Sequence, residues 1–149
     1  MLLFNDKTLL ITGGTGSLGQ EITRQALKKG FRKIIILSRH EDLQVKMKRQ
    51  FSSDKLRFFI GDIRDPDRLK TAFRGIHFVI HAAALKHVDV CYYNPSETVK
   101  TNVYGAQNII DAAIQCSVYK VLAISTDKAC LPVNIYGAAK LTADFLFIS

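Results

Sequence analysis

Apolar residues fall along this chain in two alternating rhythms. Five short runs are nearly continuous and rich in β-branched or aromatic side chains: Thr8–Thr12 (TLLIT), Lys33–Leu37 (KIIIL), Leu56–Ile60 (LRFFI), His77–His81 (HFVIH) and Lys120–Ser125 (KVLAIS). Between them the period lengthens, which predicts helices over Ser17–Lys29, Glu41–Phe51, Asp65–Arg74 and Pro95–Gln115, with a last one from Ile135 onward. Strand and helix alternating in this way predict an α/β fold, a doubly wound parallel sheet whose strands are covered on both faces. Asp65 before Pro66 suits a helix start, and Gly30 and Gly75 stand where helices should stop. Ala138–Ile148 carries no glycine, proline or polar exit, so the fold is expected to be truncated after this last helix.

Composition narrows the picture. With 149 residues, 48% of them hydrophobic, the chain supports one core and hence one domain over 1–149. No apolar run approaches the roughly 20 residues that cross a bilayer, and MLLF is followed at once by Asn5, Asp6 and Lys7 rather than by a signal-peptide core. A cytoplasmic protein without a membrane partner is expected. Cys91, Cys116 and Cys130 are odd in number and widely spaced, which predicts reduced thiols. His40, His77 and His81 lack metal-ligand spacing, so no metal is assigned. The net charge of +8 comes from scattered Lys and Arg without interleaved aromatics. That distribution argues against nucleic acid and suits a surface that concentrates anionic small molecules.

The segment following the first strand, Thr12-Gly-Gly-Thr-Gly-Ser-Leu-Gly19, opens the first helix. Gly13, Gly16 and Gly19 spell TGxxGxxG, while Gly14, Gly16 and Gly19 spell GxGxxG. Glycines at this spacing permit a tight turn, let backbone N–H groups approach a pyrophosphate, and let the helix pack close to the sheet. The placement predicts a Rossmann-type dinucleotide site with Gly13, Thr15, Gly16, Ser17, Leu18 and Gly19 at the phosphates. About 20 residues on, where an acidic residue would bind the ribose of NAD, this chain has Ser38-Arg39. Arg39 could pair with a 2′-phosphate, so NADP is favoured over NAD. Ala82, Ala83 and Ala84, after the fourth strand, are small enough to let a nicotinamide lie against the backbone.

Tyr136 and Lys140 stand four residues apart, hence on one face of a helix, and a neighbouring cation favours the phenolate form that acts as a base. Lys140 would also hold the ribose hydroxyls. Ten residues before the tyrosine, just after the fifth strand, comes Ser125-Thr126-Asp127-Lys128. Strand C-termini in such sheets gather ligands, and here a hydroxyl, an acid and a base arrive together.

The segments TGGTGSLG, SR, GDIRD, HAAALKHV, NPSETVKTNVYGAQN, STDKA and NIYGAAK resemble the UDP-N-acetylglucosamine 4,6-dehydratases, extended short-chain dehydrogenase/reductases of polysaccharide and glycan biosynthesis. The similarity covers almost the whole chain. Dehydratases of glucose nucleotides typically carry Thr-Asp-Glu where this chain has Thr126-Asp127-Lys128, so the lysine points to the N-acetylhexosamine branch. The resemblance implies that Tyr136 takes the C4 hydroxyl proton as the C4 hydride passes to NADP. Lys128 then removes the C5 proton, Asp127 helps expel the C6 hydroxyl as water, and the hydride returns to C6. It further implies that Asp62 and Ile63 lie at the adenine edge, that Asn102 orders the cofactor site, and that Lys86, His87 and Thr126 border a UDP-sugar. A full-length protein would be a homo-oligomer, and its second half would supply most of the sugar-nucleotide pocket. This chain alone is therefore expected to be inactive. A nucleotide-sugar 4-epimerase or reductase on the same scaffold, and a nonenzymatic NADP-binding remnant, are the alternatives. Lys128 beside Asp127 separates the first of these, because an epimerase needs no C5 base.

Overall fold

The computed structural model describes residues 4–149. Five parallel strands, β1 (Thr8–Thr12), β2 (Lys33–Ser38), β3 (Leu56–Ile60), β4 (Phe78–His81) and β5 (Lys120–Ala123), form one sheet in the order β3-β2-β1-β4-β5. Helices α1 (Ser17–Lys29), α2 (Glu41–Phe51), α3 (Pro66–Ala72), α4 (Val88–Tyr93), α5 (Pro95–Val99), α6 (Gly105–Gln115) and α7 (Ile135–Ile148) connect and cover it. The doubly wound expectation holds, since β1 sits at the centre and the chain winds outward on either side of it.

Alternation along the central strands divides the interior into two layers. Leu9 and Ile11 of β1 join Ile34 and Ile36 of β2 against Ala26 of α1 and Met47 of α2. Leu10 and Val79 face the other way, onto Leu69, Phe73, Ile109 and Ala112 of the α3 and α6 side. Phe73 is fully buried, and its truncation to alanine would cost about 3–5 kcal/mol. Helix ends follow local chemistry. The Asp65 carboxylate accepts the Arg68 N–H at 2.9 Å ahead of Pro66, and α1 stops where Gly30 turns left-handed.

Four features depart from the expected pattern. The run Pro95–Gln115 is helical throughout, but Lys100–Tyr104 forms a π-helical turn between α5 and α6, a device frequent at functional sites. Val88–Tyr93 forms α4 where no element was expected, because six residues are too few for a helical period to show. The strands are also not all covered on both faces. β3 and β5 are the edges, and Leu122 of β5 is 56% exposed, because helices pack on one face of β5 and leave the other open. β5 ends at Ala123 rather than Ser125, where its pairing with His81 stops. Among the described residues no helix is long and apolar enough to cross a membrane.

Candidate active site

Sheet order reverses between β1 and β4, so the loops leaving these strands diverge and open a crevice at their C-terminal ends. A cavity of about 390 Å³ lies there. Gly13, Thr15, Gly16, Ser17, Leu18 and Gly19 line one wall, Ser38, Arg39, Asp62 and Ile63 a second, and Ala82, Ala83, Ala84, Lys86, Tyr136 and Lys140 a third. Segments far apart in sequence thus meet at one opening.

The glycine loop is built for backbone approach. Gly13 has φ +66°, and a Cβ there would lie 2.9 Å from the Ala82 carbonyl oxygen and the Ala83 nitrogen, so β1 and β4 diverge around it without a side chain. A Cβ on Gly16 would meet only the Gly13 carbonyl, at 3.3 Å, which leaves the turn open to a ligand. Helix α1 begins at Gly16 with no side-chain cap and no acidic residue in its first turn, while Lys28 and Lys29 occupy its last. Its free N–H groups and the positive end of its dipole therefore favour an anion. These residues fit the pyrophosphate of a dinucleotide.

Beneath the crevice, the buried Thr12 hydroxyl lies 2.7 Å from His81 Nδ1 and accepts the Ala82 and Ala83 N–H groups at 3.2 and 3.3 Å. Because its oxygen accepts from the backbone, its proton goes to Nδ1, which places the imidazole proton on Nε2. Burial, with the nearby Lys140 charge as a second cause, pushes His81 down to about 3. The ring is neutral. His81 lines the cavity, with Thr12 buried behind it, and the sequence does not mark His81 as a wall residue, since it reads as the end of an apolar strand.

Tyr136 and Lys140 are both buried on α7. The Lys140 ammonium donates to the Ile124 carbonyl at 2.7 Å, and burial lowers its pKa, partly offset by Asp144. Ser125, which the sequence places with Thr126 among the polar residues after the fifth strand, lines the cavity and donates its hydroxyl to Asp144, one turn beyond Lys140. Asn134 caps α7 by accepting the Gly137 N–H at 2.8 Å. Gly137 has no room for a side chain: a Cβ would fall 2.2 Å from the Lys128 carbonyl oxygen. This close approach seats the Asp127–Ala129 3-10 turn directly on the start of α7.

Five expected site residues stand apart from the cavity lining. Thr126, Asp127 and Lys128 lie just past Ser125 on that exposed turn. There the Asp127 carboxyl is held below its usual range by the Thr126 hydroxyl, then by Lys128, whose ammonium is 3.5 Å away. His87 precedes α4 and is also outside the lining. Asn102, expected to order the cofactor site, accepts the Leu85 N–H and donates to the Leu85 carbonyl, both at 2.9 Å. Its amide is buried behind the 82–87 loop, which it pins in place, while Thr101 beside it on the π turn reaches the wall. Among the described residues no three His, Cys, Asp or Glu side chains gather as a metal site.

The protein-family model described as "Polysaccharide biosynthesis protein" matches residues 9–149. An inverting UDP-N-acetylglucosamine 4,6-dehydratase of Campylobacter jejuni is 55% identical over 148 residues, which cover 99% of this chain and 44% of that protein. A UDP-glucose 4-epimerase of Rickettsia akari is 44% identical, again over 99% of this chain and 44% of the relative. The X-ray structure of Pen from Bacillus thuringiensis superposes on 97% of this chain and 44% of its own, with a TM-score of 0.94 and 44% identity. The chain spans less than half the length of the relatives it matches.

Proposed function

The chain belongs to the polysaccharide biosynthesis protein family, and from that premise we propose that it is the cofactor-binding domain, over 1–149, of a nucleotide-sugar 4,6-dehydratase of the UDP-N-acetylglucosamine type. The observation that carries this reading is that Tyr136 and Lys140 open into the same cavity as the Gly13–Gly19 loop. A phenol and an ammonium are thereby aimed at a site fitted to a dinucleotide. NADP is the cofactor favoured by Arg39, and it would supply a hydride acceptor and donor. The work suits a cytoplasmic enzyme, a homo-oligomer when full length.

Each group has a separate proton to handle. Tyr136, in the phenolate form that the Lys140 charge favours, takes the proton of the sugar C4 hydroxyl at its phenolic oxygen and becomes a neutral phenol, while the Ile124 carbonyl fixes the ammonium. Lys128 removes the C5 proton, which the C4 ketone acidifies. Asp127 is ionised in the present arrangement, so its use as an acid at the C6 oxygen requires a bound sugar to replace its Thr126 and Lys128 contacts. Lys86, His87 and Thr126 lie toward the substrate side. An epimerase reading is supported by the Rickettsia relative, but it leaves Lys128 without work.

Fusion of this chain to the remaining part of the Campylobacter relative gives a direct test. The hybrid is expected to convert UDP-N-acetylglucosamine to a 4-keto-6-deoxy sugar, seen by product NMR, while the 149-residue chain alone gives none. Lys128→Ala in the hybrid should retain hydride transfer yet lose solvent deuterium exchange at C5, whereas Tyr136→Phe should lose both. Formation of a 4-epimer by the hybrid would install the epimerase reading instead.

A further inference from the structure

Asp62 lies between two arginines, and one of them holds it completely. Its Oδ1 accepts the backbone N–H of Arg64 at 2.9 Å, and its Oδ2 accepts the Arg64 Nε and Nη2 at 3.0 and 2.7 Å. Arg39 approaches the same Oδ2 only to 3.8 Å, beyond hydrogen-bonding range, and makes no hydrogen bond among the described residues. Its guanidinium is about half exposed on the cavity wall. Burial alone would raise the Asp62 carboxyl, but the Arg64 hydrogen bonds and the charges of Arg64 and Arg39 bring it below its usual range. The remaining Arg64 nitrogen donates to Glu97 at 2.7 Å, and Glu97 in turn accepts from Lys100 at 3.0 Å. Arg64 itself does not line the cavity.

We propose that Arg64 is a positioning residue that sets cofactor choice, by occupying Asp62 and so leaving Arg39 free for a 2′-phosphate. This rests on the cofactor reading above and deepens it. Arg39, Arg64 and Lys100 oppose Asp62 and Glu97, so the cluster carries one net positive charge. Without the Arg64 side chain that charge is cancelled, and Asp62 Oδ2 loses both of its side-chain hydrogen bonds and faces Arg39, while Oδ1 keeps the backbone N–H of residue 64. A planar guanidinium pairs with a carboxylate through two parallel hydrogen bonds, the same geometry by which it would hold a phosphate. Asp62 and the 2′-phosphate are then rivals for Arg39, and Arg64 removes the rival. NADH, which has no such phosphate, does not depend on the outcome.

The test is equilibrium binding of NADPH and NADH to the 149-residue chain, followed by nicotinamide fluorescence, with circular dichroism to establish folding. Arg64→Met should lower the ratio of NADPH to NADH affinity by about five- to tenfold, and Asp62→Asn added to Arg64→Met should restore it. If Arg64→Met does not fold, Arg64→Lys, which keeps the charge but not the fork, should shift the ratio in the same direction by less. An equal loss for both cofactors, an unchanged ratio, or no recovery in the double variant overturns the proposal. Binding of neither cofactor by the unaltered chain is a different result, and it overturns the cofactor reading together with this inference.

Discussion

Arg39 is the side chain on which the proposed NADP preference rests. It occupies the position where a carboxylate would accept hydrogen bonds from a ribose, and it lines the cavity with no hydrogen bond of its own among the described residues. Arg39→Asp is expected to weaken NADPH by about tenfold or more while leaving NADH little changed. Titration of both cofactors checks this, and equal losses would remove Arg39 from the 2′-phosphate. Residues of this kind are legible in a sequence when a motif numbers them: the glycine loop, Ser38-Arg39, the alanine run and the Tyr136–Lys140 pair all reach the cavity. Asn102 was legible as a residue that orders the site but not in its partner, because the sequence does not show that its amide pins Leu85. Thr12 and His81 were not legible as a pair, since 69 residues separate them and only strand pairing joins them.

At the scale of elements, helix α7 and the turn before it act as one piece. Gly137 lets α7 approach the Lys128 carbonyl, Asn134 caps the helix, and Lys140 reaches back to the end of β5. Gly137→Ala should force the turn and the helix apart, with a loss of about 1–3 kcal/mol in urea unfolding and loss of turnover in the hybrid enzyme. NADPH binding at the distant glycine loop should survive. An undiminished turnover would show that the close approach is dispensable. Strand and helix periods located nearly every element, because their apolar faces must be buried. The short α4 and the π turn escaped, since neither carries a period long enough to read. Thr126, Asp127 and Lys128 are legible in the sequence as a polar group, and they sit on an exposed turn beside the cavity lining.

For the molecule as a whole, His81 couples protonation to folding. Its folded pKa is pushed from 6.5 down to about 3, so below about pH 6.5 the unfolded chain binds a proton that the folded chain refuses. The neutral ring is favourable above that pH, and its contribution is lost as pH falls toward the folded value. One such group changes stability by about 1.4 kcal/mol per pH unit within this window, or about 2 kcal/mol between about pH 7.5 and about pH 5. Urea unfolding at the two pH values should show this drop, and His81→Gln should flatten it. A slope unchanged by the substitution would assign the dependence to other groups.

The free edge of β5 has a consequence for how the backbone breathes. In the ladder with β4, the amides of Lys120 and Ile124 point inward, to the carbonyls of His77 and His81. By the same alternation Leu122 points inward, and Val121 and Ala123 point away from the sheet. Their protons have no acceptor in a neighbouring strand among the described residues. Deuterium uptake followed by NMR should therefore be rapid at Val121 and Ala123, slower at Leu122 and Ile124, and slowest along Leu9–Ile11, whose exchange waits on opening of the whole sheet. Such an alternating record would report which side of β5 is vacant, and rapid sites that became slow in the hybrid enzyme would mark where a further strand had docked.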